Sequence, residues 1–576
     1  MVVVAANGAL EQGRESFAGQ DWKAAHRGFS AARNQAPLDG ADLLRLAIAA
    51  YLLGFDAESR DNLERAYHGQ MAVGRFPEAV RAAFWLVLEL ALGGNVARAQ
   101  GWMANARRLL PHCRPDCAEQ MLMLIPEALF QLDSDPGSAL AASTTALEAG
   151  ERLGDAELLA LGILGRSQAL IRLGRIAEAL PLIDEAMLVA TRDAVCPIAV
   201  GIVYCAAISE CQDVFDLRRA REWTEALGDW CDHQPDLVPY RGQCMVHRAQ
   251  LMRLRGELDR AAAEAARAAD WLARPRHPAL GMAHYELGEL ERIRGDAAQA
   301  ERHYGRAHGF GVSPQPGLGL LRLDQDRPRE AAPALERALA EATAATARAR
   351  LLPAAGEALL AVGRLARATE LARELAGISH DFGSVQLQAE ALLLQGRILL
   401  AQLHPEQALA LLSRARDHWS SLGMPLEVAR TRLPMSEACR LLGDAEGARM
   451  ERDAARASLR ELGAAAALGR VAKSLEAGPV PGPGAQPDIA AQTVGGAPIS
   501  PRETEVLRLV ATGMTNRQMA QALFLSEKTV ARHLSNIYTK IGVENRAAAT
   551  AYAYDRGIAA RAGADRAADG GEHGAR

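Results

Sequence analysis

The sequence predicts an all-α protein, a long stack of helical hairpins followed by a small four-helix domain. Three observations carry this. The 576-residue chain is 49% hydrophobic with only 5% aromatics, and its apolar bulk is Ala and Leu, which suits helices packed closely through small side chains. From about residue 8 to 464, a helix-length apolar stretch repeatedly ends in Gly plus a polar residue, and a second, Ala-rich helix follows. Near the carboxy end, short amphipathic segments carry their own start and stop signals.

The hairpin pattern is plain in "LALGILGRSQALIRLGRIAEALPLIDEAM" and "MAHYELGELERIRGDAAQAERHYGRAH". The hinge glycines are Gly174, Gly256, Gly295, Gly363 and Gly443, with His404 expected at the equivalent point between the last two. A helix that stops and reverses needs a residue tolerant of the left-handed region, and Gly adopts it cheaply. Small residues within about a turn after the hinge, such as Ala298 and Ala408, are expected to let the second helix pack close. Each hairpin leaves an apolar face that its neighbour covers, so the units must stack. The pattern resembles tetratricopeptide-type repeats, with longer and less regular units. It is similar, too, to the helical-repeat region of the ATP-dependent bacterial activators of the maltose-regulon type. The expected array spans 1–475, and its concave surface is the expected site for a small-molecule or protein effector. Residues 211–244 concentrate Trp223, Trp230, Tyr240 and several cysteines in an aromatic-poor chain. They read as core with a longer loop, the alternative being a ligand-facing site.

Several chemistries are excluded. A phosphate-gripping loop needs Gly-Lys, and no "GK" occurs, so the ATPase of the maltose-type activators is missing. The amino-terminal region reads as helices rather than the alternating strands and helices of a phospho-receiver. Cys113 and Cys117 near His112, and Cys231 near His233, make no paired zinc pattern. Serines lack a nucleophile elbow. No catalytic residue, metal ligand or cofactor is expected, and the chain does not read as an enzyme. No stretch is long and apolar enough to span a membrane, the first ten residues lack a signal peptide's basic start, and the scattered cysteines suit a reducing cytoplasm.

Residues 478–487, "GPVPGPGAQP", cannot hold a helix or strand. A linker is expected over 476–498, a compact domain over 499–559 and a disordered tail over 560–576. The domain opens with Ser500 as N-cap, Pro501 at the first helical position and Glu503 completing a capping box. Val506, Leu507 and Val510 form the buried stripe, and Gly513 stops the helix. Thr515 caps the next helix with Gln518 reciprocating, and Met519, Ala520 and Leu523 face inward. After a short turn, Ser526 caps a third helix, 526–541. There Val530, Leu534, Ile537 and Ile541 make an apolar stripe, while Lys528, Arg532, Ser535 and Thr539 fall on another face. His533 is expected to make a structural hydrogen bond. Two helices joined by a tight turn, the second cationic and outward-facing, describe a helix-turn-helix.

Charge supports the same end of the chain. The whole protein carries −5, yet 499–559 holds eight Arg and Lys against five Asp and Glu, a net of +3 that leaves −8 elsewhere. Of only four lysines, at 23, 473, 528 and 540, two fall within 525–542. A flexible ammonium suits phosphate as a point charge.

The run "SPRETEVLRLVATGMTNRQMAQALFLSEKTVARHLSNIYTKIGVENRAAATAYA" strongly resembles the LuxR/FixJ-type DNA-binding domain, over about 492–557. That resemblance implies a helix-turn-helix over 516–535, with bases read by Ala531, Arg532 and Ser535. It implies phosphate contacts from Asn516, Arg517, Lys528, Thr529, Lys540 and Arg546, and dimerisation through Ala547, Ala551 and Tyr554. Ala531 stands where the family commonly has Lys, so Arg532 is expected to take over base reading, by bidentate contact with guanine. Phe524 occupies a turn position where many such motifs use Gly. The implied protein is a cytoplasmic bacterial transcriptional regulator that binds operator or promoter DNA as a homodimer, with a contact to RNA polymerase. The alternative is an interaction scaffold whose terminal domain binds DNA without operator specificity.

Overall fold

The computed structural model describes residues 2–192, 195–233, 237, 239–273, 277–469, 501–523, 527–543, 545–556 and 558–559. The expected linker, the tail, Ser500, Phe524 and Ser526 lie outside them. The described chain is helical throughout, and no helix in it is long and apolar enough to cross a membrane.

The array is more regular than its sequence. Helices Val385–Ala401, Pro405–Ser421, Pro425–Leu441 and Ala445–Glu461 each have 17 residues and are joined by three-residue turns. Left-handed residues recur every 20 positions at 363, 383, 403, 423, 443 and 463. Both kinds of turn, within a hairpin and between hairpins, are therefore built alike. In five of these six, the residue after the left-handed one donates back to the preceding helix, as in Asp444 N to Cys439 O at 2.9 Å and His404 N to Leu399 O at 2.9 Å, which satisfies carbonyls the helix end leaves open.

Two expectations shift by a residue or two. The hinge at the fifth repeat is Leu403, at φ +61°, and His404 is the cap of the next helix. Ala298 is exposed; the residue that meets the partner helix is Ala300, fully buried. The governing offset is five after the left-handed residue, since Ala179, Ala261, Ala300, Ala368 and Ala408 are all 0% exposed.

The stack is a superhelix whose successive turns touch. Ser384 Oγ donates to the carbonyl of Phe215 at 3.0 Å, 169 residues away, and Arg350 pairs with Asp213. Gly256 lies so close to Leu462 that a Cβ there would come within 2.5 Å of its Cδ2. Helices are thus supported by more than their chain neighbours, and the concave surface closes into a central cleft of about 250 Å³. Within 211–244, Trp230 stacks on Tyr204 with ring centroids 5.8 Å apart, buried Tyr240 donates to Ile198 O at 3.0 Å, and Gln212, Phe215 and Leu217 line the cleft.

Candidate nucleic-acid interface

Four short helices form the last unit: Pro501–Ala511, Asn516–Leu523, Glu527–Ile541 and Arg546–Asp555. Their shared core is Val506, Leu507, Val510, Met519, Leu523, Val530, Leu534 and Ile537, each 5% exposed or less. The reciprocal cap at the second helix is present: Thr515 N donates to Gln518 Oε1 at 2.8 Å, and Gln518 N donates to Thr515 Oγ1 at 3.2 Å. Gly513 turns the chain at φ +82°. His533 is buried at 2%.

Burying Val530, Leu534 and Ile537 turns the opposite side of the third helix outward. Glu527, Ala531, Ser535 and Thr539 are exposed and four residues apart, so they line one side of the rod. A helix anchored on one side and bare on the other is the shape that enters a major groove. Ala531 and Ser535, expected to read bases, lie on that bare side. The side chains of Arg532, Lys528 and Thr529 lie outside the described residues.

The other expected phosphate contacts divide. Arg517 is exposed and forms no ion pair among the described residues. Arg546 donates to Asn516 Oδ1 at 3.0 Å and also to the carbonyl of Met514, so these two polar groups are joined at the start of the second helix. Lys540 Nζ lies 2.7 Å from Glu503 Oε2, whose side chain is 3% exposed; its charge is already matched by a buried carboxylate. Among the expected dimer contacts, Ala547 and Ala551 are exposed, whereas the Tyr554 hydroxyl donates to Ala511 O at 2.8 Å and closes the first helix.

The array grips this unit through its first two helices. Arg432, fully buried, donates through one nitrogen to Glu451 Oε2 at 2.6 Å and through another to the Leu523 carbonyl at 2.6 Å. Leu523 O ends the second helix, where an orphan carbonyl carries partial negative charge. Arg416, with a side chain only 3% exposed, donates to Glu505 Oε1 at 3.0 Å and Asp417 Oδ1 at 2.8 Å. Burial opposes its charge, but the carboxylates of Glu505, Glu451 and Asp417 outweigh burial and hold it protonated. Sequence reasoning missed this clasp. Arg416 and Arg432 are two of sixty-one arginines, and nothing in their helical pattern sets them apart.

Residues 497–553 match the family described as bacterial regulatory proteins, luxR family. The nitrate/nitrite response regulator protein homolog of Haemophilus influenzae is 43% identical over 58 residues, 10% of this chain and 28% of that protein. Transcriptional regulatory protein LiaR of Bacillus subtilis is 41% identical over 56 residues, 10% of this chain and 26% of that protein. The chain thus spans less than a third of the length of either relative. Among solved structures, that of the APC/C hetero-tetramer Cut9-Hcn1 superposes with a TM-score of 0.41 at 12% identity, over 82% of this chain and 90% of that one.

Proposed function

We propose that this protein, whose terminal unit is a LuxR-type helix-turn-helix domain, is a cytoplasmic transcriptional regulator that reads operator DNA as a homodimer. The observation that carries the reading is the third helix of that domain. Its apolar side is sealed in the core, and its Ala531–Ser535 side is open. Base reading falls to Ala531, Arg532 and Ser535, and phosphate binding to Asn516, Arg517, Lys528, Thr529, Lys540 and Arg546. The exposed Ala547 and Ala551 offer a small-residue face for the second copy, with RNA polymerase a further partner at the promoter. Gel shifts on the chain's own upstream region test this, with and without Arg532→Ala. A reader loses preference at one base pair by about 1–3 kcal/mol. Retention that is salt-sensitive but blind to sequence favours the scaffold reading instead.

Regulation runs through the clasp. Two reading heads must reach half-sites about 34 Å apart, and a head held by Arg432 and Arg416 is fixed in one orientation against a large body. The clasped state therefore binds DNA more weakly than the released one. An effector on the array shifts the balance by preferring one of the two states.

A further inference from the structure

The central cleft of the array is lined by residues from seven successive hairpins, among them five arginines. Each arginine already has a carboxylate. Arg253 is bonded to Glu286 at 2.5 Å, Arg292 to Glu289 at 2.7 Å and Asp324 at 3.1 Å, and Arg397 to Glu357 at 2.9 Å. Arg430 is bonded to Glu427 at 3.2 Å, and Arg350 to Asp213. The carboxyl left over is Glu390, which forms no ion pair or hydrogen bond among the described residues. One helical turn earlier on the same face, the Gln386 side-chain oxygen is buried and accepts no hydrogen bond. Two residues with unused acceptors thus line a cavity where every lining arginine is already engaged. The Tyr285 and Phe215 rings lie in the same wall, and an aromatic face attracts a cation.

We propose that this cleft binds a small organic cation, an amine or guanidine of metabolite size, with its N–H groups taken by Glu390 and Gln386. An anion would meet arginines whose charges are already spent. A neutral ligand would bring no charge to Glu390 and would leave its compensation to a proton alone. The cavity, about 250 Å³, fits a single such molecule. Burial, reinforced by the Glu427 and Glu357 carboxylates against the opposing Arg430 and Arg397, pushes the Glu390 carboxyl up to about 8. A bound cation would take over the compensating role that a proton fills without it.

The site also reaches the clasp. Helix Pro425–Leu441 places Glu427 and Arg430 in the cleft wall and Arg432 on the DNA-binding unit. An occupant that draws Glu427 or Arg430 toward Glu390 acts on the same rod that holds Leu523. This coupling rests on the regulatory reading above; the cleft assignment does not.

The test is calorimetric titration of the full-length protein with putrescine, agmatine and spermidine, and with glutarate and 1,4-butanediol as anionic and neutral counterparts. Saturable binding of at least one amine, with none of the counterparts, is expected. Glu390→Gln keeps the volume, removes the charge and should weaken that amine at least tenfold. Its unliganded melting temperature should equal or exceed the wild-type value, which separates lost binding from lost fold. Gln386→Leu should weaken binding less. Amine affinity unchanged in Glu390→Gln, glutarate bound in preference, or no amine bound at all would each overturn the proposal. Binding of longer basic peptides alone would overturn the metabolite-sized class. If an amine binds through Glu390 yet leaves DNA affinity unmoved, the cleft stands and the coupling to the clasp falls.

Discussion

The Arg432 guanidinium bridges two parts of the chain, with Glu451 of the array at 2.6 Å on one side and the Leu523 carbonyl of the DNA-binding unit at 2.6 Å on the other. It is a buried ion pair and an intramolecular helix cap at once. Removing it takes a charge partner from Glu451, whose side chain is 2% exposed, so Arg432→Met should cost about 3–5 kcal/mol of stability. Chemical denaturation of the variant against the parent measures this.

A gentler cut isolates the clasp. Arg416→Gln leaves Glu505 30% exposed and able to find water, so the fold should hold. DNA affinity should rise about fivefold or more if the clasped state is the weaker binder. Because Arg416 sits on the array, a gain cannot come from a changed DNA contact. Glu505→Gln should give a similar gain, and the double variant no more than either alone. Fluorescence anisotropy on operator DNA reads all three, and unchanged or weakened binding in both single variants would sink the regulatory reading.

Lys540 and Arg517 should part company. Lys540 faces buried Glu503 at 2.7 Å, so Lys540→Ala removes a charge partner of a buried carboxylate and should lower domain stability by about 1–3 kcal/mol. Arg517 is exposed and free of ion pairs among the described residues. Arg517→Ala should leave the melting curve in place and flatten the log–log salt dependence of DNA binding by about 0.9. If Lys540→Ala instead spares stability while flattening the salt slope, the pairing with Glu503 does not govern its role.

Much of this molecule was legible in its sequence, and what was not has physical causes. The hinge glycines and the stripe of Val530, Leu534 and Ile537 could be read because left-handed turns and buried faces restrict residue type strongly. The turn at Leu403 escaped because a left-handed residue need not be Gly, so the 20-residue half-period stayed hidden behind spacings near 40. Ala300 was missed for Ala298 because both are alanines in one Ala-rich helix, and periodicity alone does not say which faces inward. The closure of the superhelix through Asp213–Arg350 and Phe215–Ser384 joins residues 137 and 169 apart, a distance at which pattern carries no signal. For the same reason the clasp and the odd carboxyl of Glu390 became visible only when their partners were counted in space.

Leu403 makes a direct test of the turn geometry. It occupies the left-handed region at φ +61° and its side chain is 71% exposed, so it contributes strain and little packing. A side chain there costs about 1–2 kcal/mol, partly offset in the Gly variant by the greater freedom of its unfolded chain. Leu403→Gly should therefore stabilise the array by up to about 1 kcal/mol. The analogous Gly363→Leu, at φ +77°, should destabilise it. Thermal melts of both variants check the pair of opposite signs.

Glu390 gives the array a pH dependence whose sign can be worked out. Its carboxyl ionises near the ordinary 4.5 when unfolded and at about 8 in the folded cleft. Between those limits the folded state holds a proton that the unfolded state has lost, so stability falls as pH rises from about 4.5 to about 8. The groups facing it are Glu427 and Arg430 from one helix, Glu357 from another and Arg397 from its own. Glu390→Gln should therefore remove a downward slope from the stability profile of the unliganded protein, matching the parent at low pH and exceeding it near pH 8. An amine cation should restore what the proton supplied. Its affinity should rise with pH through the same window, and its binding near neutrality should release a proton. Titration calorimetry in two buffers of different ionisation enthalpy counts that proton, and a count of zero at neutral pH would mean that Glu390 is already ionised in the empty cleft.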